Sequence, residues 1–576
     1  MNDYINNELS FVSHDGVSLY YQQWKKEGNK KAIIMFHRGH EHSNRIKHLV
    51  HELNLQDYDF YAWDARGHGK SPGDRGYAPN VAHVVKDIDY FIKHISKIHN
   101  VEIKDMIVLG QSVGAVTLST WLHDYAPKVK AAILASPAFK VKLYVPLAIP
   151  ALKALQKISH KEKYVSSYVK GELLSHDPLR IEEYNKDKTI TKPISVGMLV
   201  DLYDTSKRIV ADAYAIETPI LMLVSGNDWV VEKEPQYAFF AKLPSKCKEL
   251  HEIPNFYHDT LGEAHREVAF DYIRNFINKI ETETFEKNNL TNINTHHFSY
   301  MELNDLKRYQ HPLEERFYAL QKKALKFASK FSDSIRVGTE TGFDSGSTLD
   351  YVYRNEVTSD NPLGKIIDKT YLNAIGWKGI RIRKENLEKA FSWVHQRKPL
   401  LKFVDIAAGH GRYDIDFLKK LNKESYSAIL NDYSELNLVE GKKIISEYNL
   451  NENIIFQKGN AFDTEYIKVL TKEANLVVVS GLYELYPDNQ VIENSLNGIS
   501  QGIEQGGYLV YTNQPWHPQL KFIAKVLSSH RQGQPWIMRR RTQDEMDQLV
   551  EKFGFEKVEQ FIDPYGIFTV SIAKKT

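Results

Sequence analysis

The stretch Met106-Ile107-Val108-Leu109-Gly110-Gln111-Ser112-Val113-Gly114 decides the fold of the first half of the chain, and Leu401-Lys402-Phe403-Val404-Asp405-Ile406-Ala407-Ala408-Gly409-His410-Gly411 decides the second. Each is a mainly apolar run that stops at a turn of small residues and passes into a helical stretch, as a strand does when it feeds a helix at the edge of a parallel sheet. A single hydrophobic core rarely grows beyond about 250–300 residues. A chain of 576 residues with one such turn in each half therefore reads as two α/β domains in tandem.

Around the first turn, residues 8–23 alternate like a hairpin about His14-Asp15-Gly16, and strand-like runs follow at Ala32–Phe36, Asp59–Trp63, Ala131–Ala135 and Ile220–Val224. Helical stretches separate most of them, which predicts a doubly wound sheet. The interval 139–205 breaks that rhythm, with Pro146 and Pro150 around an apolar segment, and reads as an inserted cap. Glu281–Asn294 carries no periodic apolar face, so the first domain is expected to cover 1–280, a linker 281–300 and the second domain 301–576. In that second domain Leu303–Phe331 reads as helix, Val337–Leu349 as a polar stretch and Lys402–Ile406 as the start of a new α/β series.

Charged residues at 26 % and apolar ones at 42 % are ordinary globular usage. With 75 Lys+Arg against 73 Asp+Glu the net charge is only +2, and no recognition motif is present, which argues against a nucleic-acid partner. Cys247 is the one cysteine, so an intrachain disulfide and a cysteine-held zinc or iron–sulfur centre are excluded. No basic start with an apolar stretch and no run near 20 apolar residues is seen, and a cytoplasmic enzyme is expected. His37, His40 and His42 cluster in sequence, yet no metal is expected.

A serine hydroxyl is a poor nucleophile and needs a sharp turn that lifts it clear of the sheet, with small neighbours so that strand and helix do not collide. Gly110 and Gly114 supply this around Ser112. Activation needs an imidazole to take the proton and a carboxylate to orient it. Asp228, after Ile220–Val224, and His258, in the loop Pro254–His258, arrive in the order serine, acid, histidine. Backbone amides of Gly39 and Val113 are the candidate oxyanion donors.

With these residues in hand, the first half resembles the α/β-hydrolases of the monoacylglycerol lipase and lysophospholipase type, in the serine aminopeptidase S33 group. The likeness covers residues 8–280 and rests on Phe36–Ser43, Asp64–Ser71 and Gly110–Gly114. It implies a serine esterase with a cap over an acyl pocket and a glycerolipid-like ester as substrate. The departures are Arg38 and His40, where relatives carry glycines. Arg38 reads as a structural arginine or a phosphate holder, and Tyr144–Leu155 as a packed cap helix or a lip for peripheral membrane contact.

In the second half, Gly409 and Gly411 let backbone amides approach a ligand, and Asp432 ends a second strand, Ser427–Leu430, about 20 residues further on, where a carboxylate can hold ribose hydroxyls. The dinucleotide fingerprint lacks its third small residue, because Asp414 stands there. A capping box at Thr542–Glu545 opens a helix to about Phe553, and a terminal hairpin, Glu556–Ile562 and Phe568–Ala573, follows. Together these resemble the class I methyltransferase fold over residues 300–576. That resemblance implies S-adenosylmethionine as cofactor, lined by Asp405, Ala407, Gly409, Gly411, Asp432, Asn460, Ala461 and Ser480, with Asn460 in place of the usual aspartate. Tyr483, Glu484 and His517 are the candidate bases toward an acceptor. Arg539, Arg540 and Arg541 read as a solvated face or an acceptor contact, and Arg381 and Arg383 as part of a lid or a packed extension. The whole chain resembles bacterial fusions of a hydrolase to a methyltransferase; the alternative is a single hydrolase whose second half binds the cofactor and regulates.

Overall fold

The computed structural model describes residues 4–144, 148–158, 161–293 and 297–576. Backbone contacts divide the chain into two compact units, Met1–Asn288 and Asn289–Thr576. Pro146 and part of the 281–300 interval lie outside the described residues.

The first unit is built on β1 (Ile5–Val12), β2 (Ser18–Lys25), β3 (Lys31–Phe36), β4 (Tyr58–Trp63), β5 (Met106–Gln111) and β6 (Ala131–Ala135). Two short strands of the cap, β7 (Tyr164–Ser166) and β8 (Pro193–Ser195), pair with each other, and β9 (Ile220–Ser225) and β10 (Lys248–Ile253) complete the main sheet. Its order is β1-β2-β4-β3-β5-β6-β9-β10, parallel from β4 to β10. Every residue of β4, β5, β6 and β9 is buried, as expected of strands covered on both faces. β10 escapes the sequence reading because its pattern, Lys248-Glu249-Leu250-His251-Glu252-Ile253, is polar, and it lies at the sheet edge.

The second unit carries β11 (Leu401–Ile406), β12 (Tyr426–Asp432), β13 (Ile454–Lys458), β14 (Leu476–Val479), β15 (Tyr508–Asn513), β16 (Phe555–Ile562) and β17 (Thr569–Lys575). The order is β13-β12-β11-β14-β15-β17-β16. The first five are parallel, and β17 enters antiparallel between β15 and β16. Strand order reverses between β11 and β14, the switch point at which open sheets bind ligands.

Two sequence expectations change here. The helix expected over Leu303–Phe331 is two helices, Phe298–Lys307 and Pro312–Ala328, because Pro312 brings no amide to a continuing helix and is tolerated only at a new start. The stretch Val337–Leu349 is not a polar loop: helices Asp333–Thr341 and Gly346–Arg354 run through it, capped by the Ser332 and Ser345 hydroxyls, which accept from the Ile335 and Thr348 amides. Among the described residues no helix is long and apolar enough to cross a membrane. The cap helix Ala148–Ile158 packs against Val196–Ala211 while Tyr144 and Leu155 stay exposed.

Candidate active sites

In the first unit Ser112 follows β5 with φ 56° and ψ −117°, a positive-φ conformation that costs a non-glycine residue on the order of 1–3 kcal/mol. The turn closes only because Gly114 has no side chain; a Cβ there would stand 2.5 Å from the His37 carbonyl oxygen. The Ser112 hydroxyl donates to His258 Nε2 at 2.7 Å, and His258 Nδ1 donates to Asp228 Oδ2 at 2.7 Å. Asp228 Oδ1 accepts from the Val230 and Val231 amides at 2.7 and 2.9 Å. Burial alone would raise the Asp228 carboxyl, but His258 and those two amides pull it below its ordinary value.

Ser112, His258, Gly39 and Val113 line one cavity of about 220 Å³ whose exposed surface is mostly apolar and comes in part from the cap, including Val169, Leu174, Met198 and Leu202. The turn beside it is rigid. His37 Nδ1 donates to the Arg38 carbonyl at 2.6 Å and His37 Nε2 accepts from the Ala65 amide at 3.0 Å, while burial lowers its pKa to about 4 and keeps the ring neutral. His40 holds φ 69°, the region that a glycine in relatives enters without strain.

Arg38 is buried and paired with protein carboxylates through Nε and Nη2, while Nη1 has no partner. Its Nε and Nη2 donate to Glu41 at 3.0 and 2.5 Å, and Nη2 lies 3.3 Å from Asp259 Oδ2. Arg180 of the cap reaches the same Asp259 oxygen at 3.4 Å. The structural reading of Arg38 is the one observed. Asp259, next to the candidate base, had no motif to mark it in the sequence. His42 bonds Asp187 at 2.9 Å, and no cluster suited to a metal ion occurs among the described residues.

In the second unit a polar cavity of about 740 Å³ lies at the carboxyl ends of β11, β12 and β14. Ala407, Gly409, Gly411, Asp432, Asn460, Ala461 and Ser480 all line it. Gly411, at φ 69°, has no room for a Cβ, which would fall 2.6 Å from Leu430. Asp432 Oδ2 accepts from the Gly409 amide at 2.9 Å, and Oδ1 from the Ser434 amide and Asn437 Nδ2 at 2.8 and 2.9 Å. A carboxylate offers about four acceptor positions, so one remains. Ser480 Oγ is buried in the wall without a hydrogen-bond partner.

Asp405 does not line that cavity. It lies wholly inside, accepting from the Tyr413 hydroxyl at 2.6 Å and facing Asp414. Burial lifts the Asp405 carboxyl to about 7, and burial with the Asp405 charge lifts Asp414 well above the carboxylate range.

The three candidate bases separate as well. Tyr483 turns inward to donate to Ser495 Oγ at 3.0 Å and lines neither cavity. Glu484 and His517 do line a second, smaller cavity of about 270 Å³, which shares Asp344, Leu349, Arg383, Gly481 and Leu485 with the larger one. Glu484 Oε1 stands 3.6 Å from Arg383 Nη1, and burial raises its carboxyl. Burial, then the Arg540 charge, lowers His517 to about 4.

The arginine run is neither a solvated face nor an acceptor contact. Arg539 pairs with Glu545 at 2.7 Å, Arg540 with Glu302 at 2.6 Å, and Arg541 donates to the Tyr483 and Tyr486 carbonyls at 2.8 and 2.7 Å, fixing the turn that carries Glu484. Trp377 and Trp536, which stack 6.2 Å apart and line the smaller cavity, carry no motif and were invisible as site residues in the sequence.

Comparison with known proteins agrees with these two halves. A family model described as "Serine aminopeptidase, S33" matches residues 27–265. The chain is 46 % identical to "Uncharacterized protein YnbC" of Escherichia coli K12 over 99 % of both chains. It is 22 % identical to the monoacylglycerol lipase of Mycolicibacterium smegmatis over 47 % of this chain and 96 % of that one. Among solved structures, the monoacylglycerol lipase of Paleococcus ferrophilus is similar, at 26 % identity, 46 % coverage of this chain, 99 % of that chain and a TM-score of 0.41. A second family model, described as "Putative methyltransferase", matches residues 273–575, so the chain belongs to that methyltransferase family and carries an α/β-hydrolase domain ahead of it.

Proposed function

We propose that the chain is a bifunctional enzyme, a serine esterase acting on a glycerolipid-like ester, either a monoacylglycerol or a lysophospholipid, and a methyltransferase using S-adenosylmethionine, divided at the 281–300 interval. The observation that carries the first activity is the unbroken relay from Ser112 Oγ through His258 to Asp228, both links 2.7 Å, at the floor of an apolar cavity.

In that reading Ser112 Oγ attacks the ester carbonyl and its proton passes to His258 Nε2, while Asp228 stabilises the imidazolium. The amides of Gly39 and Val113 receive the developing oxyanion. His258 then gives the proton to the departing alcohol, and water repeats the sequence on the acyl-serine. Arg38 is held by Glu41 and Asp259 through Nε and Nη2, and its Nη1, in the cavity wall, has no protein partner, so either ester fits. Relatives described as a monoacylglycerol lipase and as a phospholipase both match the first half, in keeping with either ester. The exposed Tyr144 and Leu155 are where a lipid surface would meet the cap.

For the second activity, the large cavity fits the cofactor by its own chemistry: an acceptor position left on Asp432 for ribose hydroxyls, the unpartnered Ser480 Oγ, and the Asn460-Ala461 edge for adenine. When bound, S-adenosylmethionine supplies an electrophilic methyl group, and the chain's part is to hold it in line with an acceptor. Two assays test the pair. Ser112→Ala should abolish monoacylglycerol hydrolysis; retention of wild-type hydrolysis refutes the esterase mechanism. Calorimetry with S-adenosylhomocysteine should register binding that Asp432→Ala weakens; ligand-dependent hydrolysis with no methylated product would instead mark the second domain as a regulator.

A further inference from the structure

The residues lining the smaller cavity of the second unit include five with a buried polar atom that has no hydrogen-bond partner: Tyr371 Oη, Arg383 Nε, Glu484 Oε2, Gln514 Nε2 and Trp536 Nε1. A buried polar atom left unpaired costs about 1–3 kcal/mol, so five around one mostly apolar pocket mark a place for a ligand that supplies both a donor and acceptors. The rest of the wall is apolar, aliphatic side chains such as Ile380, Ile523 and Met538 beside flat aromatic faces, with Trp377 and Trp536 stacked at 24° and Phe568 under the Arg383 guanidinium at 5.2 Å. Its volume of about 270 Å³ falls just below the range of about 300–1,000 Å³ usual for small-molecule sites, which limits the ligand to a few rings.

Charge narrows the class further. Arg383 and Glu484 form an ion pair at 3.6 Å in the pocket wall, and both are buried, so neither can swing to water. A ligand carboxylate would meet Glu484, and a ligand ammonium would meet Arg383. A neutral molecule meets no such opposition. Resting on the reading of the neighbouring cavity as the methyl-donor site, we propose that this pocket receives a small, flat, largely apolar molecule through one hydroxyl group, and that Glu484 Oε2 takes the hydroxyl proton as the oxygen is methylated. The bond formed is carbon to hydroxyl oxygen; the bond broken is carbon to the donor's sulfonium sulfur, whose electron pair remains on sulfur as a neutral thioether. Arg383 and Gly481, which border both cavities, stand where the two ligands would meet. His517, lowered to about 4, stays neutral and offers no competing charge.

Calorimetry of phenol, 2-naphthol and 2-naphthoate against the full chain holding S-adenosylhomocysteine tests this directly, alongside assay of 2-methoxynaphthalene formed with S-adenosylmethionine. The expected result is binding of 2-naphthol at least tenfold tighter than 2-naphthoate. Gly376→Val should weaken it tenfold or more, since a Cβ at Gly376 already comes within 3.0 Å of His517 Nε2. Glu484→Gln should leave 2-naphthol affinity within about threefold while slowing methylation about 10²- to 10⁴-fold, the usual share of a general base. Glu484→Asp, which keeps the carboxylate but withdraws it, should fall between, and serves where the amide variant does not fold. Preference for 2-naphthoate, or full methylation by Glu484→Gln, overturns the proposal. Bound S-adenosylhomocysteine with neither hydroxyl compound binding overturns it alone, whereas failure of S-adenosylhomocysteine to bind overturns the donor-site reading beneath it.

Discussion

The esterase-like cavity and the paired cavities of the second unit differ in how far their candidate reacting atoms are already bonded to one another. In the first, Ser112, His258 and Asp228 bond to one another and His37 uses both ring nitrogens, while Arg38, shared between Glu41 and Asp259, keeps only Nη1 free and His40 only Nδ1. In the second, Ser480 Oγ, Glu484 Oε2 and Gln514 Nε2 are buried and unpaired. A nucleophile made of protein must be assembled before the substrate arrives, because its reactivity comes from the groups touching it. A transfer between two ligands needs little reactivity from the protein and much unspent bonding capacity, since positioning is the main contribution.

That contrast can be broken at several points. The largest effect is expected at Ser112→Ala, which should cut ester hydrolysis about 10⁶-fold with no change in S-adenosylhomocysteine affinity measured by calorimetry. Asp228→Asn should cost about 10⁴-fold in kcat by presenting the wrong imidazole tautomer, read in the same hydrolysis assay. In the other unit Asp432→Ala removes a charged hydrogen-bond acceptor, a change of about 1.5–3 kcal/mol; cofactor binding should weaken roughly 10- to 100-fold while esterase kcat stays at the wild-type value. Smallest is a stability effect of the buried Asp405–Asp414 pair. The Asp405 pKa in the folded chain, about 7, lies above that of a free carboxyl. Its contribution is therefore complete below the ordinary carboxylate range and lost as pH rises through about 7. The thermal midpoint of the second unit should drop by a few degrees between pH 5 and pH 8, and Asp405→Asn should flatten the slope. A midpoint constant over that range in the wild type would remove the pair from this account.

The parts legible in the sequence are those where local pattern and chemistry coincide. The runs ending at Gln111 and Ile406 are apolar and finish in glycine-bearing turns, so strand, turn and ligand edge could be read together. Ser112, Asp228 and His258 were found from their order along the chain. What could not be read depends on side-chain direction. Tyr483 and Glu484 are neighbours in one 3₁₀ turn, yet one points into the core and the other into a cavity, and periodicity does not separate them. Asp405 carries the right residue type at the end of the right strand, but burial in the sheet turns it toward Tyr413 and away from the cavity. Arg539, Arg540 and Arg541 look like surface charge in any composition plot; their partners Ser299, Glu302 and Asn489 are too distant in sequence to be paired by inspection. β10 is hidden for the converse reason, a polar strand at an edge that needs no apolar pattern.

Asp259 has one more consequence. Its amide donates to the Leu174 carbonyl at 2.7 Å, its carboxylate holds Arg180, and four residues on Glu263 accepts from the His176 amide at 3.0 Å, so the stretch 174–180 of the lid is stitched to the loop that carries His258. Lifting that stretch would drag the imidazole off the serine. The opposite flank is anchored too, since Asp201 in Val196–Ala211 accepts from the Val81 amide at 2.6 Å, so the chamber's roof is tied to its floor on both sides.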